Sequence, residues 1–277
     1  MKALKPILIL CLSILFFTSC KKEVDMTLVQ KTVLENADIR QIKVGDAWEV
    51  TVIADSNTFV EMEYSAYLEP YLKTKMDDEK LDIGFTGKVY PAINSVFRAT
   101  IHTPQLEKLE TNDAARVQCS GSFSGHQIEI SLSEAAQCNG LNFSGESCEI
   151  KMEDASLLTG FQFVGNNARA LLEEASQFNG SIQVDSCFEV EAKDASRFVN
   201  KDGVTDKVII KLQNVCLLNM VETQVREMQV DLSGASEATV QVNELIEGSL
   251  VEGSTLFYKG HPQIDVECSE ASQLIPF

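Results

Sequence analysis

The sequence has little of several features that mark common protein classes. It has one tryptophan and six prolines in 277 residues, and only 23 basic residues against 41 acidic ones. The net charge of −18 argues against nucleic acid as a partner, because a polyanion repels an acidic protein. After the first 20 residues, no segment is long and apolar enough to cross a membrane.

Motifs of catalysis and metal binding are also missing. The sequence has no phosphate-binding loop, no dinucleotide-binding glycine pattern and no CxxC pair. The segment GSFSG at 121–125 resembles a nucleophile elbow, but Phe123 stands where the nucleophile would be. His102, His126 and His261 are too far apart for a short metal-binding motif. We therefore predict a non-catalytic protein without a cofactor, a metal site or catalytic residues.

The N-terminus has the pattern of an export signal. Two lysines precede the apolar run Ile7–Phe17, which is too short to span a bilayer. The run ends at Phe17-Thr18-Ser19-Cys20 and resembles a bacterial lipoprotein signal, although the family usually has leucine at the first of these positions. The resemblance implies cleavage before Cys20 and lipidation of that residue; ordinary signal cleavage nearby is the alternative.

These features predict the location and the start of the mature chain. Residues 1–19 would be a lipoprotein signal peptide, and residues 20–29 a polar tether. We expect a protein of the cell envelope, attached to the outer membrane through its lipid anchor and facing either the periplasm or the outside.

A repeat of 20 residues dominates the rest of the sequence. An alanine column recurs at this step, and small residues, mostly serine, follow it directly. Large apolar residues lie three positions after most of the alanines. The alanine column comprises Ala114, Ala135, Ala155, Ala175, Ala195, Val215 and Ala235; its step is 20 from Ala135 to Ala235 and then shortens to 18.

Period-two alternation before each alanine predicts strands, as in Ile128/Ile130/Leu132 and Met228/Val230/Leu232. Asn139-Gly140, Thr159-Gly160 and Asn179-Gly180 predict tight corners. Each repeat would hold about three short strands and form one coil of an all-β parallel β-helix, with about 4.8 Å between coils. We attribute the recurring alanine and serine to corners crowded by the coils above and below.

One column of the repeat is acidic. It comprises Asp113, Glu134, Asp154, Glu174 and Asp194. Like charges stacked on neighbouring strands repel, and a calcium ion would relieve the repulsion. The glycine-rich calcium repeat is absent, however, and Lys151, Lys193 and Lys211 lie nearby. We therefore expect solvated acids, with calcium as the alternative.

Six cysteines remain after the signal and Cys20. Cys216 takes a serine position, Cys138 and Cys268 fall in apolar columns, and Cys187 lies outside these columns. A buried thiol behaves as a small hydrophobic group. We expect free, mostly buried thiols, with a bridge such as Cys119–Cys138 as the alternative in an exported protein.

Residues 30–277 would form one β-helix domain. Residues 111–277 carry the regular repeats, whereas 30–110 would form irregular first coils and an N-terminal cap, which shields the open end of the core. The last residues, QLIPF, are a candidate for the second cap. Trp48 lies in a strand pattern, which predicts a place in the core or the cap.

Several segments resemble one protein family. The segments are VTVIADSN, LDIGFTG, SGASEATVQV and EGSTLFYKGHPQIDVECSEAS, and the likeness covers roughly residues 30–275. With the lipoprotein signal, they resemble the putative auto-transporter adhesin head GIN domain family of exported Gram-negative proteins. The resemblance implies a right-handed β-helix and supplies no catalytic residues.

We predict binding or adhesion at the envelope through an extended flat face, with a glycan or a protein as ligand and no defined binding residues. One alternative is a β-helical polysaccharide lyase or hydrolase, for which Glu61, Glu63, Asp77, Asp78 and Glu79 supply the carboxylates. A purely structural envelope component is the other, because a fold does not fix a function.

Overall fold

The computed structural model describes residues 24–269 and 271–277. Of these residues, 64% are in strands and 2% are in a helix, and they form a parallel β-solenoid of about eight turns, each about 20 residues long. This confirms the predicted all-β solenoid. The predicted signal peptide and Cys20 lie outside the described residues. None of the helical segments described could span a bilayer.

The described chain contains strands and one 3-10 helix, Ala66–Tyr71. In chain order the strands are β1 Leu28–Val33, β2 Gln41–Val44, β3 Glu49–Ala54, β4 Phe59–Ser65, β5 Leu72–Asp77, β6 Lys80–Phe85, β7 Phe97–Thr103, β8 Lys108–Thr111, β9 Arg116–Ser120, β10 Ser122–Ser124, β11 Gln127–Leu132, β12 Gln137–Asn139, β13 Asn142–Ser144, β14 Ser147–Met152, β15 Leu157–Leu172, β16 Gln177–Ala192, β17 Arg197–Asn200, β18 Gly203–Leu212, β19 Leu217–Leu232, β20 Glu237–Leu250, β21 Thr255–Lys259, β22 Gln263–Cys268 and β23 Gln273–Pro276.

Three faces surround the core, and strands on each face pair in parallel from one turn to the next. Face A precedes the alanine corner and includes β8, β11 and β14. Face B follows that corner and includes β3, β9 and β12. Face C closes the turn and includes β10 and β13. In β15, β16, β19 and β20 the faces join into longer strands, with register shifts between β15 and β16 and between β19 and β20. The predicted three short strands per coil are therefore all separate only in the turns before β15.

The alanine corner is built from two successive residues with positive φ. Asp154 and Ala155 have φ values of 54° and 57°, and the same pair of conformations recurs at Glu174 and Ala175. The Ala155 N–H donates to the Glu174 carbonyl oxygen at 2.8 Å, so backbone hydrogen bonds tie successive corners together. The alanines themselves are exposed.

Crowding therefore does not explain the alanine column, and that part of the prediction is wrong. Val215 fits in the same column and is 59% exposed, so there is room for larger side chains. The left-handed backbone is the remaining constraint, because bulky and β-branched side chains rarely adopt it; Val215, at a φ of 67°, is the exception in the column.

The serine column agrees with the crowding prediction, because its side chains point inward and are buried. The Ser176 hydroxyl donates to the Glu173 carbonyl oxygen at 2.6 Å, and Ser196 and Ser236 make the equivalent bond at 2.7 Å. Cys216 replaces serine here and donates its thiol to the Gln213 carbonyl oxygen. The buried members are Ala115, Ala136, Ser156, Ser176, Ser196, Cys216, Ser236 and Ser254.

Another corner separates faces B and C at the predicted Asn-Gly and Thr-Gly pairs. Gly140 and Gly160 have φ values of 77° and 61°, a region that glycine enters without steric cost. The Gly140 N–H donates to the Thr159 carbonyl oxygen at 3.0 Å. Gly180 ends the third predicted pair but does not share the positive φ.

The N-terminal region departs from the regular winding. Strand β3 pairs with β7 on one side and β9 on the other, so a long excursion of the chain separates neighbouring turns. Within the excursion, β4 is antiparallel to β7 and β5 is antiparallel to β6. Strand β1, from the start of the described chain, is antiparallel to β4. The region predicted to form irregular first coils thus includes β4, the 3-10 helix and β5.

Aromatic residues fill the core at this N-terminal end. Trp48 is fully buried, as the sequence predicted, and packs against Phe85 and Phe97 at ring-centroid distances of 5.7 and 6.0 Å. Tyr64 and Leu68, from β4 and the 3-10 helix, are also buried. These side chains belong to the buried core of the N-terminal region.

The C-terminal end is built differently. The candidate cap QLIPF forms β23, which pairs with β21 as one more strand of face B. On face A, β22 pairs with β20. The segment therefore extends the stack rather than covering it.

The six cysteines of the described chain are free thiols. Cys119, Cys138, Cys148 and Cys216 are buried, Cys187 is half-buried and Cys268 is exposed on β22. Burial and the neighbouring Cys119 raise the pKa of Cys138, with the hydrogen bond to Cys119 as the first cause. These two thiols thus lie side by side without forming the alternative disulfide.

Candidate functional site

Face B has an outer surface of uncharged polar side chains. On each strand two side chains point outward, and together they form two rows along the solenoid. We call the second of these the polar row. In spatial order from β7 it comprises Thr100, Thr51, Gln118, Asn139, Thr159 and Asn179, and it continues through Val199 to Asn219 and Thr239.

Direct hydrogen bonds join neighbouring members of the polar row. The Asn139 amide nitrogen donates to the Gln118 amide oxygen at 2.8 Å, and the Thr159 hydroxyl donates to the Asn139 amide oxygen at 3.0 Å. These bonds span adjacent strands and fix the side-chain orientations. The Asn179 amide oxygen is buried and has no hydrogen-bond partner among the described residues.

The other outward row of face B carries charge only at intervals. Glu49 lies in register between Arg98 on β7 and Arg116 on β9. Arg116 is 3.7 Å from Glu49, and Arg98 contacts Glu63 of β4. Each arginine thus lies two residues before a member of the polar row on the same strand, with a carboxylate beside it.

A shallow depression of about 570 Å³ lies where these rows meet. Its walls include Arg98 and Arg116, and the polar side chains Gln118, Asn139 and Thr159 lie along it. Donors and acceptors at the spacing of strands, with a cation at one end, can bind a polar, repetitive ligand. This arrangement has no nucleophile aligned with a base.

Face A has a different surface, because charged side chains alternate along its outward columns. Lys108 binds Glu129 at 2.9 Å and Glu110 at 3.2 Å. Lys193 binds Glu191 at 2.8 Å and Glu173 at 3.3 Å. The charged groups of face A are engaged with one another in these ion pairs, so face B is the stronger candidate for binding a ligand.

The acidic column lies at the alanine corner, between faces A and B. All five predicted members, Asp113, Glu134, Asp154, Glu174 and Asp194, are exposed. A hydrogen bond to Asp113 and then its charge raise the pKa of Glu134, and Asp154 raises the pKa of Glu174 in the same way. Among residues 24–269 and 271–277, no cluster of three or more acidic, histidine or cysteine side chains has metal-binding geometry.

The carboxylates of the alternative enzyme hypothesis lie on separate elements. Glu61 and Glu63 are on β4, beside Arg98. Asp77 is at the end of β5, paired with Lys75, while Glu79 contacts Arg40 at 3.4 Å. The structure does not bring these two groups into one cleft.

The histidines make separate polar contacts. His102 lies 3.0 Å from Asp55 and stacks on Phe59 at 4.0 Å. A hydrogen bond from the Asn57 N–H, followed by that from His102, lowers the pKa of Asp55. His126 is exposed beside Glu146 at 3.0 Å, and His261 is also exposed.

The polar row was not predicted from the sequence, although the sequence contains a signal for it. Asn139, Thr159 and Asn179 each precede a glycine at 20-residue intervals. The pairs indicated corners, and the corners exist at the first two. The polar side chain of each pair also points outward on face B.

The fold and face B define a class: an all-β solenoid with an extended polar surface. The chain belongs to the family described as "Putative auto-transporter adhesin, head GIN domain", whose model matches residues 38–262. This confirms the family resemblance inferred from the sequence. None of the curated proteins matches the chain significantly.

Solved structures of low sequence identity share the fold. A putative adhesin from Parabacteroides merdae is 14% identical, with a TM-score of 0.65, and the match covers 92% of this chain and 98% of that one. A putative adhesin from Parabacteroides distasonis is 16% identical, with a TM-score of 0.61 and coverages of 91% and 98%. A putative lipid binding protein from P. distasonis has 16% identity, a TM-score of 0.60 and coverages of 90% and 96%.

Proposed function

We propose that this protein is a non-catalytic adhesin of the cell envelope that binds a hydroxyl-rich polymer, such as a glycan, through face B. The observation that carries the proposal is the polar row, in which uncharged donors and acceptors continue in register from Thr100 to Asn179. The family description supports the adhesive role.

Uncharged side chains suit this kind of ligand for an energetic reason. Each hydrogen bond exchanged with water contributes only about 0.5–1.5 kcal/mol, so affinity has to accumulate over many contacts. A repetitive polymer can meet a repetitive row at several points, and each further contact is then intramolecular. Because amides and hydroxyls lose less hydration energy than ions do, face B is easier to desolvate than face A.

The net charge limits the choice of partner. A charge of −18 disfavours nucleic acid and strongly anionic polymers. Arg98 and Arg116 lie at the depression but have carboxylate neighbours, so they offer hydrogen bonds more than net positive charge. A neutral polysaccharide or a glycosylated protein fits these features best.

Attachment to the outer membrane through a lipid on Cys20 is part of the same proposal. It is supported by the lysines, the apolar run and the small residues that lead into this cysteine. An anchored solenoid with a lateral ligand face would hold a polymer close to the envelope.

The test is a glycan array probed with purified protein, followed by equilibrium binding to the polymers retained. We expect Gln118→Ala with Asn139→Ala to weaken binding at least tenfold. Gln127→Ala with Ser147→Ala is the matched control, because it removes outward polar side chains from face A in the same turns. Equal binding by both double variants would overturn the assignment to face B.

The same material distinguishes binding from catalysis. The retained polymer is incubated with the protein, and its chain length and new chain ends are measured. We expect no change in either. Shortened chains would identify a lyase or hydrolase, and an absence of retained ligands across glycan and matrix arrays would favour a structural component.

A further inference from the structure

The C-terminal end of the solenoid exposes two strand edges. Strand β22 pairs with β20 on one side, and β23 pairs with β21. In the part of the chain that the structure describes, no strand pairs with the opposite edge of either one. An unpaired edge presents a row of N–H and C=O groups that can hydrogen-bond to another strand.

The backbone direction of β22 shows which groups are free. Ser269, just after the strand, donates its N–H to the Leu250 carbonyl oxygen at 3.0 Å. In a parallel ladder, alternate residues bond to opposite neighbours. The amides of Ile264, Val266 and Cys268 therefore point away from β20, toward the open edge.

The side chains of the same three residues mark an uncovered core. In the turn below, Ile246 and Leu250 occupy the corresponding inward columns and are fully buried. Ile264 is 38% exposed, and Cys268 is also exposed. A further strand over β22 would cover this apolar column and continue the stack.

Strand β23 is a weaker template than β22. Gln273 and Phe277 donate their N–H groups to the carbonyl oxygens of Ser254 and Tyr258 in the preceding turn. By the same alternation, position 276 would point its N–H outward, but it is a proline and has none. A proline on an edge strand hinders pairing with a further strand, and β22 contains no proline.

The charge on β22 selects the partner. Its outward side chains Asp265 and Glu267 are exposed and form no ion pair with any described residue. A second copy of β22 in antiparallel register would place these acids opposite or diagonal to acids of the same strand, which is unfavourable. A strand with lysine or arginine at alternate positions would face them favourably.

We propose that β22 is a docking edge for an extended, cationic segment of a partner protein, with basic and apolar residues in alternation. The segment would add a strand to face A, accept and donate hydrogen bonds at Ile264, Val266 and Cys268, and pair its cations with Asp265 and Glu267. Its apolar residues would cover the open column. This mode is β-strand addition, in which backbone bonds give affinity and side chains give selectivity.

The test uses the purified protein and a blocked seven-residue peptide of alternating lysine and valine. Titration calorimetry measures affinity, and alkylation of Cys268 reports coverage of the edge, with the half-buried Cys187 as the internal reference. We expect one site per protein and slower alkylation of Cys268 alone. A peptide N-methylated at alternate residues tests the backbone bonds, and a glutamate–valine peptide tests the charge.

The matched variants separate the edge from general acidity. We expect Asp265→Asn with Glu267→Gln to weaken the lysine–valine peptide at least tenfold. Glu189→Gln with Glu191→Gln should leave its affinity within twofold, because these acids lie on β16, whose two edges are paired.

Equal loss in both double variants, an undiminished affinity of the N-methylated peptide, or no binding at millimolar peptide would overturn the proposal. A dimer in sedimentation that the edge variant disrupts would also overturn it, in favour of a second copy. The glycan test on face B is independent of each of these results.

Discussion

The hydroxyl of Ser156 lies 3.3 Å from the hydroxyl of Ser176, one turn further along the solenoid. Both side chains are fully buried, and Ser176 also donates to the Glu173 carbonyl oxygen. The adjacent residue Gln177 points outward and is exposed. Neighbouring positions in the sequence thus have opposite environments.

Ser176→Leu should therefore destabilise the protein, whereas Gln177→Leu should not. The leucine at 176 overfills a closed corner, at a cost of about 1–3 kcal/mol. The same side chain at 177 should change the free energy of unfolding by no more than about 0.5 kcal/mol. Chemical denaturation of both variants under one condition measures the difference. Equal effects would contradict the stacked serine column.

Protonation of the acidic column should affect stability. The pKa values of Glu134 and Glu174 are raised by hydrogen bonds to Asp113 and Asp154 and by their charges. A raised pKa means that the folded state binds protons more tightly than the unfolded state. The folded protein therefore loses stability as the pH rises through the raised pKa values of these two groups. Glu134→Gln with Glu174→Gln should raise the Tm at pH 7.

Below the ordinary glutamate pKa of 4.5, the same double variant and the natural protein should melt alike, because both glutamates are then neutral. Thermal melts from pH 3 to pH 8 test this, each with and without a calcium chelator. We expect the chelator to have no effect. A Tm lowered by chelation, and insensitive to it in Asp154→Asn with Glu174→Gln, would instead support a bound calcium ion.

The regular turns could be predicted because a fixed period places equivalent residues in equivalent environments. The buried Ser176 and the exposed Gln177 follow from that period alone. The reason for alanine at position 155 could not be predicted in this way, because a positive φ does not change the pattern of apolar and polar residues. Val215 was the one residue whose size could have excluded the crowding explanation.

The N-terminal excursion and the ligand face were harder to predict. Strand β3 pairs with β9 across more than 60 residues, and the antiparallel β4 and β5 do not share the 20-residue period. Asn139 and Thr159 were interpreted only as parts of corners, because each precedes a glycine. Turn propensity is local, whereas the polar row exists only once the turns are stacked.

Membrane attachment tests the proposed lipid anchor. Cys20→Ala removes the thiol that would be acylated, so the variant should lose labelling by a fatty-acid analogue and leave the membrane fraction. Cys268→Ala is a suitable control, because it removes an exposed thiol that lies far from the signal in the sequence. A Cys20→Ala variant that remains in the membrane fraction to the same extent would show that another feature holds the protein there.

Asn200 provides a test of the core that the period does not predict. It is 1% exposed on β17, where the preceding turn has glycine at the paired position. Its amide oxygen accepts the Ile182 N–H at 2.7 Å, and its amide nitrogen donates to Ile182, Asp202 and Thr223 at 2.8–3.1 Å. The side chain therefore replaces backbone hydrogen bonds at the corner between β17 and β18.

Asn200→Ala should leave the Ile182 N–H and several acceptors without partners inside the solenoid. An unsatisfied buried group costs about 1–3 kcal/mol, so we expect a loss of at least that size in the free energy of unfolding. Asn139→Ala is the matched control, since that amide is exposed and water can replace it; its effect should stay within about 0.5 kcal/mol. Urea denaturation gives both values, and amide exchange at Ile182 reports the local opening. If Asn200→Ala were as stable as Asn139→Ala and the Ile182 amide stayed protected, the buried amide would not be what holds this corner together.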